Sequence, residues 1–175
     1  MMTSSGRDNL VIISVLVLVG AGYFLFKNPS GAPHAENHSD VRSMGQALSN
    51  LGELPEDYDG LIKLGNDYMD HGNYAIAAEC YRRALALDST SLDVRTDYGA
   101  CLHGMGLLER ARDEFARVLE KNPRHPIANF NQGIVYLDMK MNDSTRIYWE
   151  RYLALEPEEN VAESVREFLK SMNQK

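Results

Sequence analysis

Cysteine is scarce in this chain, and the patterns that bind metals or haem are absent from it. The 175 residues include only Cys80 and Cys101, with no CxxC or CxxCH motif and no His/Cys pair at zinc spacing. Two cysteines are too few for a disulfide framework. The sequence therefore predicts no metal site and no cofactor, and we find no catalytic constellation in it.

Clustered positive charge is also lacking. The net charge is −7 and no run of lysine and arginine occurs. A phosphate backbone is held by clustered cations, so nucleic acid is excluded as the expected partner. The length allows one modest folded domain with appendages.

Long apolar runs are missing except at residues 10–26, which carry neither charge nor proline. As a helix this segment rises about 25 Å, at the short end of what crosses a bilayer core. Arg7 and Lys27 flank it, where both side chains reach the membrane interface. We therefore expect a tail at 1–9 and a transmembrane helix at 10–26.

A cleaved signal peptide is the alternative interpretation of this segment, because Val19-Gly20-Ala21 resembles a small-residue cleavage site. Cleavage there would leave Tyr23 and the apolar residues after it at the start of the mature chain, which favours an uncleaved anchor. The short tail is easily retained in the cytoplasm. We expect a single-pass membrane protein with its main domain on the extracytoplasmic side.

Residues 27–57 read as a linker, with proline, glycine and serine near the beginning. Four apolar residues in it recur at roughly helical spacing and predict a short helix, although Gly45 and Gly52 weaken that prediction. These residues are Val41, Met44, Leu48 and Leu51.

Seven columns of residues recur with a period of 34, which is the signature of stacked helical hairpins. The columns are Gly65, Gly99 and Gly133; Tyr68, Leu102 and Tyr136; Ala77, Ala111 and Thr145; Tyr81, Phe115 and Trp149; Ala84, Val118 and Tyr152; Leu85, Leu119 and Leu153; Ser89, Pro123 and Pro157.

These columns resemble the motif of the tetratricopeptide repeat (TPR) family, most clearly in Leu64-Gly65-x2-Tyr68 and Ala77-x3-Tyr81. The third copy departs from the motif at Gln132 and Thr145. The resemblance implies an all-α fold, an α-solenoid of three hairpins. Its units are expected at 58–91, 92–125 and 126–159, with a capping helix at 160–175.

Each repeat is expected to pack a glycine of its first helix close to its second helix, with Ala77 or Ala111 as the small residue opposite it. Tyr81, Phe115 and Trp149 should be the large core residues of the second helices, packing toward the next hairpin. Pro123 and Pro157 should stop those helices.

The first helices of a TPR array line its concave face, where peptides commonly bind. By position, the resemblance places ten residues in this groove: Asn66, Met69, Asp70, Thr96, Ala100, His103, Phe130, Asn131, Ile134 and Asp138. The asparagine side chains would form hydrogen bonds with a peptide backbone. Apolar pockets would be formed by Met69, Phe130 and Ile134. The aspartates favour an apolar or basic peptide.

The resulting hypothesis is a membrane-anchored scaffold that binds a short segment of a protein partner. A fold-level analogy adds envelope-complex assembly or cytochrome c maturation as its setting. The alternative is a structural protein that self-assembles into a homo-oligomer through its repeats. Cys80 and Cys101 are expected either as buried thiols or, outside the cytoplasm, as a disulfide between adjacent repeats.

Overall fold

The computed structural model describes residues 54–172, and this part of the chain is entirely helical. The transmembrane helix predicted at 10–26 and the short helix predicted near Val41 lie outside the described residues. None of the helices within 54–172 has the length and apolar character needed to cross a bilayer.

Seven helices make up the described region, and the first six pair into three antiparallel hairpins. The helices are α1 (Tyr58–Asp70), α2 (Tyr74–Leu87), α3 (Leu92–Gly104), α4 (Leu108–Lys121), α5 (Pro126–Asp138), α6 (Asn142–Leu153) and α7 (Glu159–Met172). The first helices begin at 34-residue intervals, and each hairpin packs on the one before it, which makes a TPR-like solenoid.

Each first helix begins at a side chain that accepts a backbone hydrogen bond. The Asp57 carboxylate accepts from the Gly60 N–H at 2.8 Å, and Ser91 Oγ accepts from the Val94 N–H at 3.3 Å. His125 Nδ1 takes the same role for α5. Such N-caps satisfy amide groups that a helix start leaves unpaired, so the three starts are fixed by local chemistry.

The turns within the hairpins use a left-handed residue, as a helix C-terminus commonly does. Gly72 and Gly106 have φ values of 74° and 76°, which glycine adopts without steric cost. The third turn places Lys140 there, with φ of 60°. The third hairpin thus keeps the turn geometry without the glycine that favours it.

A glycine of each first helix lies directly under the aromatic ring of the second helix in the same hairpin. A Cβ atom on Gly65 would lie 2.8 Å from Tyr81, and one on Gly99 would lie 2.7 Å from Phe115. Gly133 lies under Trp149 in the same way. The expected close approach is present, but the residue nearest the glycine is the aromatic one and not Ala77 or Ala111. The prediction that these rings also pack toward the next hairpin stays a prediction.

The third hairpin ends differently from the other two. Its second helix stops at Leu153, two residues before the position given by the repeat, and Glu156 follows with φ of 55°. The prediction that Pro157 stops this helix is therefore wrong. The helix α7 then packs on the hairpin, with the ring of Phe168 edge-on to Trp149 at a centroid distance of 5.3 Å.

Candidate partner-binding surface

The ten residues predicted to line the groove fall into three exposure groups. Asp70 and Asp138 are exposed, while Asn66, Met69, Ala100 and His103 are partly buried. The remaining four, Thr96, Phe130, Asn131 and Ile134, are buried. The predicted surface is thus accessible at α1 and at the ends of the first helices, and closed along the middle of α3 and α5.

Thr96, Phe130 and Ile134 are core-like residues, so a partner cannot reach them directly. The hydroxyl of Thr96 donates to the Leu92 carbonyl at 2.8 Å within its own helix. The ring of Phe130 lies 4.9 Å from Tyr152 and 6.2 Å from Trp149 between centroids. The prediction that Phe130 and Ile134 form open apolar pockets is wrong, because the large aromatic residues of α6 draw the Phe130 ring into the hairpin and Ile134 is only 4% exposed.

Asn66 is held in place by Tyr81. The Tyr81 hydroxyl donates to Asn66 Oδ1 at 2.7 Å and lies 3.6 Å from the sulfur of Met69. The equivalent residues of the other hairpins, Phe115 and Trp149, have no hydroxyl group. Only the first of the three hairpins can therefore orient an amide side chain in this way, and the pairing leaves the Asn66 amide N–H groups as donors.

Three amide side chains on α5 are buried with unpaired atoms. Asn131 Nδ2, Asn129 Oδ1 and both polar atoms of Gln132 have no hydrogen-bond partner among residues 54–172. A buried polar group without a partner costs about 1–3 kcal/mol. The sequence contains a signal for this feature, since residues 129–132 read Asn-Phe-Asn-Gln on one helix, but of these three amide residues only Asn131 was predicted to line the groove.

A hydrogen bond joins the first helices of the second and third hairpins. His103 Nε2 lies 2.6 Å from Asp138 Oδ2, with side-chain exposures of 18% and 48%. The two predicted groove residues are therefore brought together. Asp70, at the end of α1, is exposed.

A second set of charged groups lies on the second helix of the first hairpin. The carboxylate of Glu79, nearly buried, accepts hydrogen bonds from Arg82 at 2.7 Å and from Arg83 at 2.8 Å. The hydrogen bond from Arg82 is the main reason that the pKa of the Glu79 carboxyl lies below its ordinary value, and Arg83 adds to it against the opposing effect of burial. These contacts stabilise the helix and face no predicted binding residue.

The cysteines are both buried thiols in the structure. Burial is the main cause that raises the pKa of Cys101 well above its ordinary value, and the neighbouring Asp97 and Cys80 act in the same direction. A thiol of this kind stays protonated and unreactive. Among residues 54–172 no group of three or more His, Cys, Asp or Glu side chains is arranged to hold a metal ion.

The geometry defines a class of protein: an all-helical repeat solenoid. A family model of the tetratricopeptide repeat matches residues 68–129. Together with the solved structures that follow, this match supports the resemblance of the repeats to the TPR family.

Three known proteins illustrate the similarity. The protein CTR9 homolog of Arabidopsis thaliana is 30% identical over 95 residues, 54% of this chain and 8% of that protein. PcrH in complex with the chaperone binding region of PopB gives a TM-score of 0.58 at 22% identity, covering 66% of this chain and 97% of PcrH. The first TPR of Spaghetti (RPAP3) bound to the HSP90 peptide SRMEEVD gives 0.61 at 20% identity, covering 67% and 90%. At these identities the solved structures establish the fold.

Proposed function

We propose that this protein is a scaffold that binds a short segment of a partner protein along its first helices. The segment contacts the predicted groove residues that are accessible: Asn66 and Met69 on α1, Ala100 and His103 on α3, and Asp138 on α5. Binding uses the peptide backbone of the partner as much as its side chains, because the surface offers amide groups.

The observation that carries this proposal is the orientation of the Asn66 side chain. Its Oδ1 atom accepts a hydrogen bond from the Tyr81 hydroxyl at 2.7 Å, which leaves its N–H groups as donors. Asn66 lies on the predicted binding face and is only partly buried, so a partner can reach it. A bound peptide supplies the carbonyl oxygens that such donors pair with.

Two of the similar structures support peptide binding as the use of such a fold. PcrH holds the chaperone binding region of PopB, and the Spaghetti repeat holds an HSP90 peptide. Some TPR domains bind the C-terminal carboxylate of a chaperone through lysine and arginine side chains. This chain has Ile62 and Thr96 at positions where such cations would be needed, so we do not propose that mode of binding. The exposed Asp70 instead favours an apolar or basic segment.

We further propose that this scaffold is anchored to a membrane. Residues 10–26 would anchor it and residues 27–57 would tether the repeats, with the repeat domain on the extracytoplasmic side. Carbonate extraction and protease protection test the two parts: we expect the chain to stay with the membrane and the repeats to be cleaved only from the extracytoplasmic side. Envelope-complex assembly, including cytochrome c maturation, is the proposed setting, and homo-oligomerisation is the alternative use of the same surface.

Affinity capture of the detergent-solubilised full chain tests the binding function. The variant Asn66→Ala/Asn131→Leu should lose the captured partner at least tenfold while its helical melting temperature stays at or above that of the wild type. Glu120→Ala/Glu167→Ala, two exposed changes on α4 and α7, is the control and should capture normally. Normal capture by the asparagine variant would move the binding site to another face.

A further inference from the structure

The chain enters the repeats at a fixed point beside the first helix. Leu54 is partly buried against the main apolar cluster. A Cβ atom on Gly60 would lie 2.9 Å from the Cβ atom of Pro55, so this proline packs against α1, and Asp57 caps the helix. Whatever precedes Leu54 is therefore held close to the α1 end of the binding face.

The segment just before this point carries a ligand-like pattern. In a helix, Val41, Met44, Leu48 and Leu51 would lie on one face, and Gln46 would lie on the opposite face. Amphipathic segments with apolar residues at such spacing dock into grooves through those residues. Arg42 is the only charged residue between Val41 and Leu51.

The binding face carries apolar residues on its first two helices and a carboxylate on its third, which complements the leucines and the arginine of the segment. Met69 on α1 and Ala100 on α3 are partly buried apolar residues that pack against the core. Asp138 on α5 is an exposed carboxylate at the far end. A segment that runs back from Leu54 and crosses from α1 to α5 would place its leucines against Met69 and Ala100. Its Arg42 would then lie near Asp138.

The distances allow this crossing. Neighbouring packed helices lie about 8–10 Å apart, so the first helices of three hairpins span about 20 Å. Leu54 precedes the start of α1 and Asp138 is the last residue of α5, so the path also rises along a helix of 13 residues, about 20 Å, and its direct length is about 28 Å. A helix over residues 42–51 rises about 14 Å and the three steps from Leu51 to Leu54 add about 10 Å when extended, so the Arg42 side chain covers the remaining few ångströms. Leu51 lies only three residues before Leu54, so it cannot be more than about 11 Å from it.

We infer that residues 41–51 of this chain occupy its own binding face, as an internal ligand that a partner must displace. The inference rests on the proposed function, because it assigns an occupant to the same surface. A tether this short gives an effective concentration in the millimolar range, which favours the same chain over a second copy. Arg42 pairs with Asp138 in this arrangement, and the apolar stripe covers Met69 and Ala100.

Photo-cross-linking on the detergent-solubilised full chain tests where the segment lies. A photoreactive amino acid replaces Leu48, and chains labelled with nitrogen-15 are mixed with unlabelled chains. We expect cross-links to α1, α3 or α5 between peptides of the same label. Cross-links between different labels would show that the ligand comes from a second copy, and cross-links to other helices, or none, would also overturn the inference.

Calorimetric titration with a synthetic peptide of residues 38–53 tests the displacement. The full-length variant Leu48→Asp/Leu51→Asp should bind this peptide at least tenfold more tightly than the wild type, because its face is vacated. Gln46→Asp, on the opposite face of the segment, should behave as the wild type. Equal binding to wild type and double variant, or no binding to either, would overturn the inference.

A charge exchange examines the proposed end contact, and partner capture separates the two proposals. Arg42→Asp should raise peptide affinity as well, and adding Asp138→Arg should return it toward the wild-type value; no return would contradict the Arg42–Asp138 pairing. If the peptide tests fail while the Asn66→Ala/Asn131→Leu variant still loses its partner, the internal ligand is wrong and the binding function stands. If that variant captures normally, the binding function itself fails.

Discussion

His103 and Asp138 are 35 residues apart in the chain, and their side chains meet at 2.6 Å between Nε2 and Oδ2. The contact joins α3 to α5 across the face that we propose for partner binding. A second polar contact joins the same two hairpins, between His125 Nε2 at the start of α5 and Asp93 Oδ1 on α3, at 3.3 Å. The contact with His103 also means that Asp138 is a hydrogen-bonded acceptor before any partner arrives.

A double-mutant cycle should reveal the coupling between these two residues. We expect His103→Ala and Asp138→Ala each to lower the free energy of unfolding by about 0.5–1 kcal/mol, because both side chains are partly exposed. The double variant should lose no more than either single one. Chemical denaturation of the full chain measures this, and additive losses would show that the pair contributes nothing to stability.

Replacing Gly99 by alanine should destabilise the fold, against the usual trend. Alanine gains about 1 kcal/mol over glycine in an exposed helix interior. Here the new Cβ atom would lie 2.7 Å from the fully buried ring of Phe115, so we expect a net loss of about 1–3 kcal/mol. Thermal unfolding followed by circular dichroism is the measurement.

Replacing the Phe115 ring by a smaller side chain provides the control for this prediction. In a Phe115→Leu background, the further change Gly99→Ala should cost clearly less than it does in the wild type, because the side chain opposite is shorter. An alanine variant as stable as the wild type would mean that the two helices do not approach as closely as the structure has them.

Replacing Gln132 by leucine should stabilise the protein. Both polar atoms of this side chain are buried and unpaired, while Leu64 occupies the equivalent place in the first repeat. We expect the free energy of unfolding to rise by about 1–2 kcal/mol. Thr145→Val is the matched comparison: its hydroxyl already donates to the Met141 carbonyl, so it should gain less. A loss of stability in Gln132→Leu would indicate that the amide is paired through water.

The Glu79 carboxylate should make stability depend on pH in the acid range. Arg82 lowers its pKa in the folded state below the ordinary 4.5, so its contribution is complete above that value and is lost as pH falls through the folded pKa. Glu79→Gln should therefore cost about 1 kcal/mol at about pH 7 and less at about pH 3. Denaturant titrations at both pH values compare the two proteins, and a difference that does not change with pH would exclude this origin.

The periodicity was sufficient to predict the hairpins, because the features that build them are local. A glycine at one position, an aromatic residue in the following helix and a left-handed turn between them recur with every repeat. The contact of Gly99 with Phe115 was not predicted, because Ala111 was expected opposite this glycine. The early end of α6 at Leu153 could not be predicted in this way, because the 34-residue period places the end of this helix two residues later.

The binding face was harder to predict, because repeat positions give the side of a helix and not the depth of a side chain. Phe130 occupies a groove position by register, but its ring packs with Trp149 and Tyr152, two large residues in columns where the other repeats have smaller ones. The contact of His103 with Asp138 depends on the angle between hairpins. No pattern within a single repeat contains that angle.

Trp149 is the one tryptophan of the chain, and its surroundings make it a built-in reporter. Its indole N–H donates to the Phe130 carbonyl at 3.0 Å, and the Phe168 ring of α7 packs against the indole in a T-shaped arrangement. Intrinsic fluorescence should therefore shift to longer wavelength when α7 detaches, even if the hairpins keep their helical content. The undocking of the last helix is then observable in the unmodified protein, separately from the loss of the array.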